Sequence, residues 1–347
     1  MILQWVKKQM WFFGRFSFYL GILAIWPIIL TILILMKKFG KPVFGYIFIV
    51  YPGSLDQVRG YMPIWFRHVI PIISPIGVIS KGKNKISGIV LTIPWLIEEI
   101  EEQNRLNRII DKTLSTAEKI GARAIALAGR MPSVIALNNT RNRLKNPFVF
   151  GEKGAVYTIL RSVIGSANAA GIDLKSAVIG IIGFGFIGSR LADSLYQEAG
   201  VKKIIAVDPR IRKERKNGVI LTRDPAFLSD CDIIIALTAR GEQIETVVDY
   251  FKKGVLVIDD THPQIPQRLI RRIKELKRGT VVKAALGLDG VSFIPRLPKW
   301  QRDWIPGCCV EAITASVCGF AADQKKFNQA AARINFQPLI IDNMDDL

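Results

Sequence analysis

Histidine, cysteine and acidic residues are scarce in this chain of 347 residues. There are two histidines and four cysteines, and 29 acidic residues stand against 48 lysines and arginines. No Cys-X-X-Cys pair occurs, and both histidines are far from the cysteines in sequence, so neither a disulfide framework nor a zinc site is expected. We predict free thiols in a reducing compartment and no bound metal. The thiols are Cys231, Cys308, Cys309 and Cys318.

The excess of basic residues gives a formal net charge of +19. Such a charge favours anionic partners, which include a lipid surface, an acidic carrier protein and a nucleotide. Ordinary solvated faces are the alternative explanation. Nucleic acid is not expected, because no nucleic-acid-binding motif or pattern of stacking aromatics accompanies the charge.

A long uncharged run lies near the N-terminus. Residues 16–36 hold 21 residues without a charge, and Arg15 and Lys37–Lys38 flank them. As a helix the run would span about 31 Å, the thickness of a bilayer core. We therefore predict an uncleaved membrane anchor over residues 1–42 with the soluble part in the cytoplasm, while Pro27 leaves a re-entrant insertion open. The apolar but proline-broken residues 61–80 are predicted to be a core loop or a lipid-facing surface.

The sequence AVIGIIGFGFIG at residues 177–188 is typical of a dinucleotide-binding turn. An apolar strand precedes it, a helical pattern follows it, and a second strand ends at Asp208, twenty residues past the last glycine. This context makes the Gly-X-Gly-X-X-Gly spacing specific. Cofactor-binding residues are predicted at Gly183, Phe184, Gly185, Phe186, Ile187 and Gly188.

The next strand ends carry the remaining cofactor candidates. Asp208 would accept hydrogen bonds from the ribose hydroxyls, which favours NAD over NADP. Arg210 and Arg212 follow closely and could instead accommodate a 2′-phosphate. Thr238 and Ala239, after a later strand, are predicted to line the nicotinamide pocket. The predicted cofactor is therefore NAD or NADP, with NAD favoured.

Strands and helices alternate through the rest of the chain, which predicts an α/β fold with a doubly wound parallel sheet. Residues 44–51, 122–129, 177–182, 231–239, 254–260 and 279–285 read as strands, and residues 92–121 and 153–170 as helices. We predict a substrate-binding α/β domain at 43–150 and a Rossmann domain at 151–300. A C-terminal helical segment at 301–347 is expected to pack back on the substrate domain.

The stretch WIPGCCVEAITASVCG at residues 304–319 places Cys308 after a Pro-Gly pair and at the start of a helical pattern. A helix N-terminus stabilises a thiolate, so Cys308 is a candidate nucleophile toward a thioester. Glu311, one turn later, is a second candidate, although it could simply complement the helix dipole. Cys309 and Cys318 are expected to be small buried residues.

From about Phe44 onward the chain resembles the aldehyde-forming long-chain acyl-carrier-protein reductases. The matching segments are FGYIFIVYPGSLDQVR, AEKIGARAIALAG, the glycine turn, VLVIDDTHP, CCVEAI and the ending INFQPLI. The resemblance implies a Rossmann domain beside an acyl-binding domain, Cys308 as the covalent nucleophile and a reduced nicotinamide donor.

The main hypothesis from the sequence is a membrane-anchored oxidoreductase that reduces a fatty acyl thioester, possibly on an acidic carrier protein, to an aldehyde. Two alternatives stay open. One is a dehydrogenase of the alcohol or amino-acid type, in which His262 with Asp259 or Asp260 handles the proton. The other is a non-catalytic, membrane-tethered dinucleotide-binding protein.

Overall fold

The computed structural model describes residues 2–40, 44–59, 62–69, 73–82, 85–100, 102–137, 145–211, 215–216, 218–297 and 300–340. Their contacts divide the chain into two compact units. Unit 1 comprises Met1–Gly151, Asp289–Asp303 and Glu311–Ala322, and unit 2 comprises Glu152–Leu288, Trp304–Val310 and Asp323–Leu347. Each unit contains its own sheet with parallel strands, which confirms the predicted α/β class.

Unit 1 has a six-stranded sheet in the order β14-β2-β3-β1-β4-β5. Strands β3, β1, β4 and β5 are parallel, whereas β2 pairs antiparallel with β3 and β14 pairs antiparallel with β2. Its elements are α1 (Ile2–Lys38), β1 (Tyr46–Val50), α2 (Leu55–Arg59), a 3-10 helix (Ile64–His68), β2 (Ser74–Lys81), β3 (Lys85–Thr92), α3 (Ile97–Ile100), α4 (Gln103–Ile120), β4 (Ala124–Leu127), α5 (Met131–Leu137), β5 (Phe148–Val149) and β14 (Val291–Ile294).

The core of unit 1 follows directly from its sequence pattern. Strand β1 reads YIFIV and is almost wholly buried, as expected for a parallel strand covered on both faces. Helix α4 buries Leu106, Ile109 and Ile120 on one side, which is the amphipathic spacing predicted for residues 92–121. It ends at Gly121, whose φ of 75° lies in the left-handed region that glycine adopts without strain.

The prediction of a membrane anchor at residues 1–42 is not supported. Across the described residues, no helix meets the combined requirement of length and hydropathy for a membrane span. Residues 2–38 do form one helix, α1, and part of its apolar surface packs within unit 1, whereas Ile25, Ile28 and Ile32 are exposed. Leu33 is 5% exposed in the core, and Trp26, Ile29 and Leu30 pack against the same cluster.

Residues 61–80 are more ordered than the predicted loop. The described part holds the 3-10 helix and the eight-residue strand β2. The sequence pattern missed the strand because Pro75 is a strand breaker. Here it lies beside an irregularity in the register between Pro75 and Gly77, where proline is tolerated.

Unit 2 has a seven-stranded sheet in the order β12-β11-β10-β6-β7-β9-β8, parallel except for β8. Its elements are α6 (Glu152–Ala169), β6 (Val178–Ile182), α7 (Phe186–Ala199), β7 (Lys203–Val207), β8 (Arg215–Lys216), β9 (Val219–Thr222), β10 (Ile233–Ala236), β11 (Leu256–Asp259), α8 (Gln267–Lys277), β12 (Thr280–Lys283), β13 (Leu286–Gly287), α10 (Gln324–Ile334) and β15 (Gln337–Pro338), with 3-10 helices at Pro225–Asp230, Gly241–Thr246 and Val248–Tyr250. Helix α9 (Gly307–Cys318) begins in unit 2 and ends in unit 1.

The order of strands fixes where a ligand site can form. Strand β6 pairs with β7 on one side and with β10 on the other. In such sheets, ligands bind at the carboxyl ends of the strands, at the point where the strand order reverses. The segments that follow β6, β7, β10, β11 and β12 therefore lie together at the carboxyl-terminal end of the sheet in unit 2, which we call its carboxyl edge. The predicted domain boundaries at residues 42, 150 and 300 stay predictions.

Candidate cofactor and active site

The glycine turn after β6 has the geometry of a dinucleotide site. Gly183 has a φ of 93°, and a Cβ atom there would lie 2.8 Å from the carbonyl oxygen of Leu237. A Cβ at Gly188 would lie 2.7 Å from the carbonyl oxygen of Gly183. At Gly185, in contrast, a Cβ would meet no described atom within 4 Å. Gly183 and Gly188 are thus required by the protein's own packing, whereas Gly185 leaves an open cradle for a ligand.

Helix α7 starts at this cradle and presents its N-terminus to it. Gly185 is the N-cap residue, and no side chain caps the first turn of the helix. The first backbone N–H groups of a helix attract an anion such as a pyrophosphate. Phe186, at the first position of α7, is 48% exposed, and Ile187 is half-buried. The residues present therefore fit the pyrophosphate of a dinucleotide.

Asp208 follows β7 and is already engaged within the protein. Its carboxylate accepts hydrogen bonds from the backbone N–H groups of Phe184 (2.9 Å) and Arg210 (2.8 Å). The Arg210 guanidinium donates to both of its oxygens at 3.3 Å. Burial would raise the pKa of Asp208, but these hydrogen bonds hold the pKa below its ordinary value.

This arrangement alters the role predicted for Asp208. The residue is 3% exposed and braces the glycine turn, whereas the Arg210 side chain beside it is 82% exposed. Arg210 is therefore the more accessible of the two predicted ribose-binding side chains. Arg212 lies outside the described residues.

Thr238 and Ala239 follow β10, next to the glycine turn in the sheet order. The Thr238 hydroxyl donates to the carbonyl oxygen of Arg240 at 2.9 Å, which holds this loop in a tight bend. Ala239 is exposed. Their contact with a nicotinamide stays a prediction.

The turn after β11 brings the titratable candidates to the same edge. Asp259 is fully buried and accepts hydrogen bonds from the Thr261 N–H (2.8 Å), the Thr261 hydroxyl (2.6 Å) and the Ile265 N–H (3.0 Å). The backbone N–H of Asp260 donates to the Ala236 carbonyl at 3.1 Å, and the N–H of Gly241 donates to the Pro263 carbonyl at 2.9 Å. Asp260 and His262 are thus held on a turn that is tied to the loop after β10.

Asp260 and His262 are half-buried residues, and the partial loss of solvent shifts the pKa of both side chains on this turn. It raises the pKa of Asp260 from 3.8 to about 7; Asp259 adds to the rise and Lys283 opposes it. Burial, with a smaller contribution from the charge of Lys283, lowers the pKa of His262 from 6.5 to about 3. These directions favour a carboxyl group at Asp260 that changes its protonation near neutral pH and a neutral imidazole at His262.

Lys283, at the end of β12, completes this cluster and was not a sequence candidate. It is 1% exposed, its Nζ donates to the Thr261 carbonyl at 2.9 Å, and it lies 3.7 Å from Asp259 Oδ2. The only signal in the sequence was a lysine inside the apolar strand GTVVKAA, where a charged residue is rarely fully buried without a partner.

The cysteine stretch folds as predicted at its start. Helix α9 begins at Gly307, where a Cβ atom would lie 2.6 Å from the Cα of Ala155, so the Pro-Gly pair serves close packing against α6. Cys308 lies in the first turn and is half-buried. Cys309 is buried, and burial raises its pKa well above 9.0. Cys318 is exposed, contrary to expectation. Glu311 is 4% exposed and belongs to unit 1.

Comparison with known families identifies the cofactor domain. Residues 159–252 match the family described as D-isomer specific 2-hydroxyacid dehydrogenase, NAD binding domain. This segment runs from α6 through the glycine turn and Asp208 to the 3-10 helices after β10. The predicted cofactor, NAD or NADP, is confirmed. A search of curated proteins finds no match.

Two solved structures are similar to part of this chain. A D-lactate dehydrogenase from Treponema pallidum is 12% identical over 50% of this chain and 61% of its own, with a TM-score of 0.33. A D-isomer specific 2-hydroxyacid dehydrogenase from Xanthobacter autotrophicus Py2, in complex with NADPH and MES, is 16% identical over 45% and 75%, with a TM-score of 0.32. The chain thus spans less than two thirds of the first of these proteins, and scores this low support no inference about substrate.

These findings correct the main hypothesis from the sequence. The suspected resemblance to the aldehyde-forming long-chain acyl-carrier-protein reductases is wrong, because residues 159–252 match the NAD-binding domain described for D-isomer specific 2-hydroxyacid dehydrogenases. Fatty acyl thioester reduction, the acidic carrier protein and the membrane lipid partner are withdrawn with it. The glycine turn misled the interpretation because it is common to many dehydrogenases. The catalytic roles of Cys308, Glu311 and His262 stay predictions.

Proposed function

We propose that this protein is an NAD(P)-dependent dehydrogenase that interconverts a small 2-hydroxy acid and the corresponding 2-oxo acid. The observation that supports it most is the turn at residues 259–262, which lies at the same sheet edge as the glycine turn and carries a carboxyl group poised near neutral pH. The family match of the cofactor domain supports the substrate class.

The reaction needs one group that exchanges a proton. Oxidation removes a hydride from C2 of the hydroxy acid and a proton from its hydroxyl group. When bound, NAD(P)+ supplies the acceptor for the hydride. In this proposal the Asp260 carboxylate takes the proton, and protonated Asp260 returns it to the carbonyl oxygen during reduction. A group with a pKa near the working pH does this most effectively.

His262 has a different role in this proposal. Its pKa of about 3 keeps the imidazole neutral at physiological pH. A neutral imidazole has one donor and one acceptor nitrogen, so it can orient the substrate oxygen without carrying a charge. Cys308 and Glu311 have no assigned step in this reaction. Residues 43–150 remain the proposed substrate-binding part of the chain.

A steady-state survey tests the proposal. We expect NADH or NADPH to be oxidised by at least one member of a panel of 2-oxo acids, and the reverse reaction to occur with the matching 2-hydroxy acid. Asp260→Asn should lower kcat by about 100-fold or more, the usual contribution of a positioned acid or base. Asp249→Asn is the matched control, since Asp249 is an exposed partner of Arg272 in the same unit.

Two results would contradict parts of this proposal. If the protein binds NADH but turns over no 2-oxo or 2-hydroxy acid, the proposal fails and a non-catalytic dinucleotide-binding protein is favoured. If turnover is found but Asp260→Asn retains full kcat, the proton-transfer role is wrong while the dehydrogenase activity stands.

A further inference from the structure

Lys283 is a fully buried lysine at the end of strand β12. It ends β12 and pairs in register with Asp259 of β11. Burying an ammonium group costs several kcal/mol unless good geometry and additional hydrogen bonds offset the loss of water. A buried ion pair is seldom more stable than apolar residues of the same volume. Fold stability alone therefore does not account for a lysine at this position.

Two contacts of Lys283 lie at the turn after β11. Its Nζ donates to the carbonyl oxygen of Thr261 and lies beside the carboxylate of Asp259. Asp259 in turn accepts hydrogen bonds from Thr261 and Ile265. Lys283 is thus hydrogen-bonded to the backbone of Thr261, the residue between Asp260 and His262. Both neighbours of Thr261 are candidate catalytic residues.

We propose that Lys283 is a positioning residue, whose buried ammonium group holds the turn that presents Asp260 and His262 and places a positive charge at that turn. This inference rests on the proposed function. Lys283 is too buried to touch a substrate, so it acts through its neighbours.

The charges around the turn define the electrostatic part of this role. The charge of Lys283 on β12 lowers the pKa of both Asp260 and His262, and the charge of Asp259 on β11 raises the pKa of Asp260. Three charged residues on the loop after β10, the following 3-10 helix and α8 are exposed: Arg240, Glu242 and Arg268. Removing the charge of Lys283 should therefore raise the pKa of both Asp260 and His262.

Histidine NMR tests this without any substrate. The chain has two histidines, and His68→Gln leaves His262 as the single ring signal. We expect Lys283→Met and Lys283→Gln to move the His262 titration to higher pH by about one unit or more. Lys252→Met, which removes an exposed ion pair with Asp232 in the same unit, is the matched control and should not move it.

Kinetics then separate positioning from stability. In Lys283→Gln, which keeps a donor for the Thr261 carbonyl but loses the charge, the pH midpoint of 2-oxo acid reduction should rise. In Lys283→Met, kcat should fall by about tenfold or more, while KM for the cofactor changes little. A purely structural lysine would lower stability and leave both the His262 titration and the pH midpoint in place, and that result would overturn the inference.

The outcomes distinguish this inference from the proposed function. A shifted His262 titration in a protein that turns over no 2-oxo acid supports the electrostatic link and sinks the dehydrogenase proposal. Turnover with an unshifted titration sinks the role of Lys283 alone. If neither neutral variant folds, Lys283→Arg decides, because a displaced guanidinium must change kcat or the pH midpoint, and unchanged values would refute the inference.

Discussion

The two units each place a glycine turn after a buried parallel strand, and they use it differently. In unit 1, Gly129 follows β4 with a φ of 55°, and a Cβ atom there would lie 2.5 Å from the Tyr51 hydroxyl. That hydroxyl also accepts a hydrogen bond from the Arg130 N–H at 2.8 Å. In unit 2, the space at Gly185 is open. The protein fills the first turn with its own side chain and leaves the second free for a cofactor.

This comparison shows why glycine in a strand–helix turn is weak support for a ligand site. The same residue type serves internal packing at Gly129, Gly183 and Gly188, and ligand access at Gly185. Gly185 differs in two respects: its φ is negative, and a Cβ atom there would meet no described atom within 4 Å. An added side chain would therefore disturb only a bound molecule. Substitutions at these positions should therefore separate stability from cofactor binding.

The largest effect is expected at Gly183. Gly183→Ala would force a residue with a side chain to a φ of 93° and against a backbone carbonyl, so we expect a loss of about 3–5 kcal/mol in the free energy of unfolding. Gly129→Ala should cost about 1–2 kcal/mol, because the obstructing atom ends a flexible side chain. Denaturant unfolding of both variants measures the difference. Equal losses would break the comparison.

The next effect is on binding rather than folding. Gly185→Val should weaken NADH binding by about 100-fold, equivalent to about 2.7 kcal/mol, and leave the unfolding midpoint unchanged. Gly21→Val is the control, since a Cβ at Gly21 also meets no described atom within 4 Å. Calorimetric titration checks the affinity. Retained binding in Gly185→Val would show that the open cradle does not hold the cofactor.

The pH dependence of stability should expose two opposing contributions from the turn after β11. The pKa of Asp260 rises on folding from 3.8 to about 7, so its contribution is fully present below pH 4 and is lost as the pH rises toward 7. The pKa of His262 falls on folding from 6.5 to about 3, so its contribution is present above pH 6.5 and is lost as the pH falls toward 3.

Single substitutions should therefore reveal the contribution of each residue to the pH dependence of the free energy of unfolding. From pH 4 to 7, Asp260→Asn should gain stability relative to the parent protein, and His262→Gln should lose stability relative to it. One pKa unit corresponds to about 1.4 kcal/mol. Because both residues are partly exposed, we expect each change to be on the order of 2 kcal/mol. Unfolding at several pH values provides the measurement. Slopes of the same sign in both variants would show that one of the two pKa shifts is absent.

The smallest expected effect concerns the ribose end of the cofactor. Arg210→Ala should weaken NADPH relative to NADH by about tenfold, because the exposed guanidinium can pair with a 2′-phosphate and a ribose hydroxyl gains less from it. The ratio of dissociation constants is the observable. An unchanged ratio would assign discrimination to Asp208 or to residues outside the described part of the chain.

The sequence predicted what depends on local patterns. The spacing of the glycine turn and the strand that ends before Asp208 located the cofactor domain, because Gly183 and Gly188 are needed for close packing and Gly185 for ligand access. The brace between Asp208 and the Phe184 N–H could not be read from the sequence, since it joins two strands through tertiary contact. Lys283 was missed because a single lysine in a strand carries no signal of what it faces.

The errors came from patterns with more than one physical solution. Residues 16–36 satisfy the composition of a membrane helix, but several of their side chains pack in the core of unit 1. Cys308 does start a helix, as predicted, yet a helix N-terminus specifies no reaction. The proton transfer that we propose is instead placed on the turn after β11, where burial shifts the pKa of Asp260 upward and that of His262 downward.

The most direct test of the central claim is the pH dependence of kcat/KM in both directions of the reaction. With Asp260 as the group that exchanges the proton, kcat/KM for 2-oxo acid reduction should fall above about pH 7 and kcat/KM for 2-hydroxy acid oxidation should rise through the same value. Both profiles should flatten in Asp260→Asn. Profiles that keep their midpoints in that variant would contradict the account.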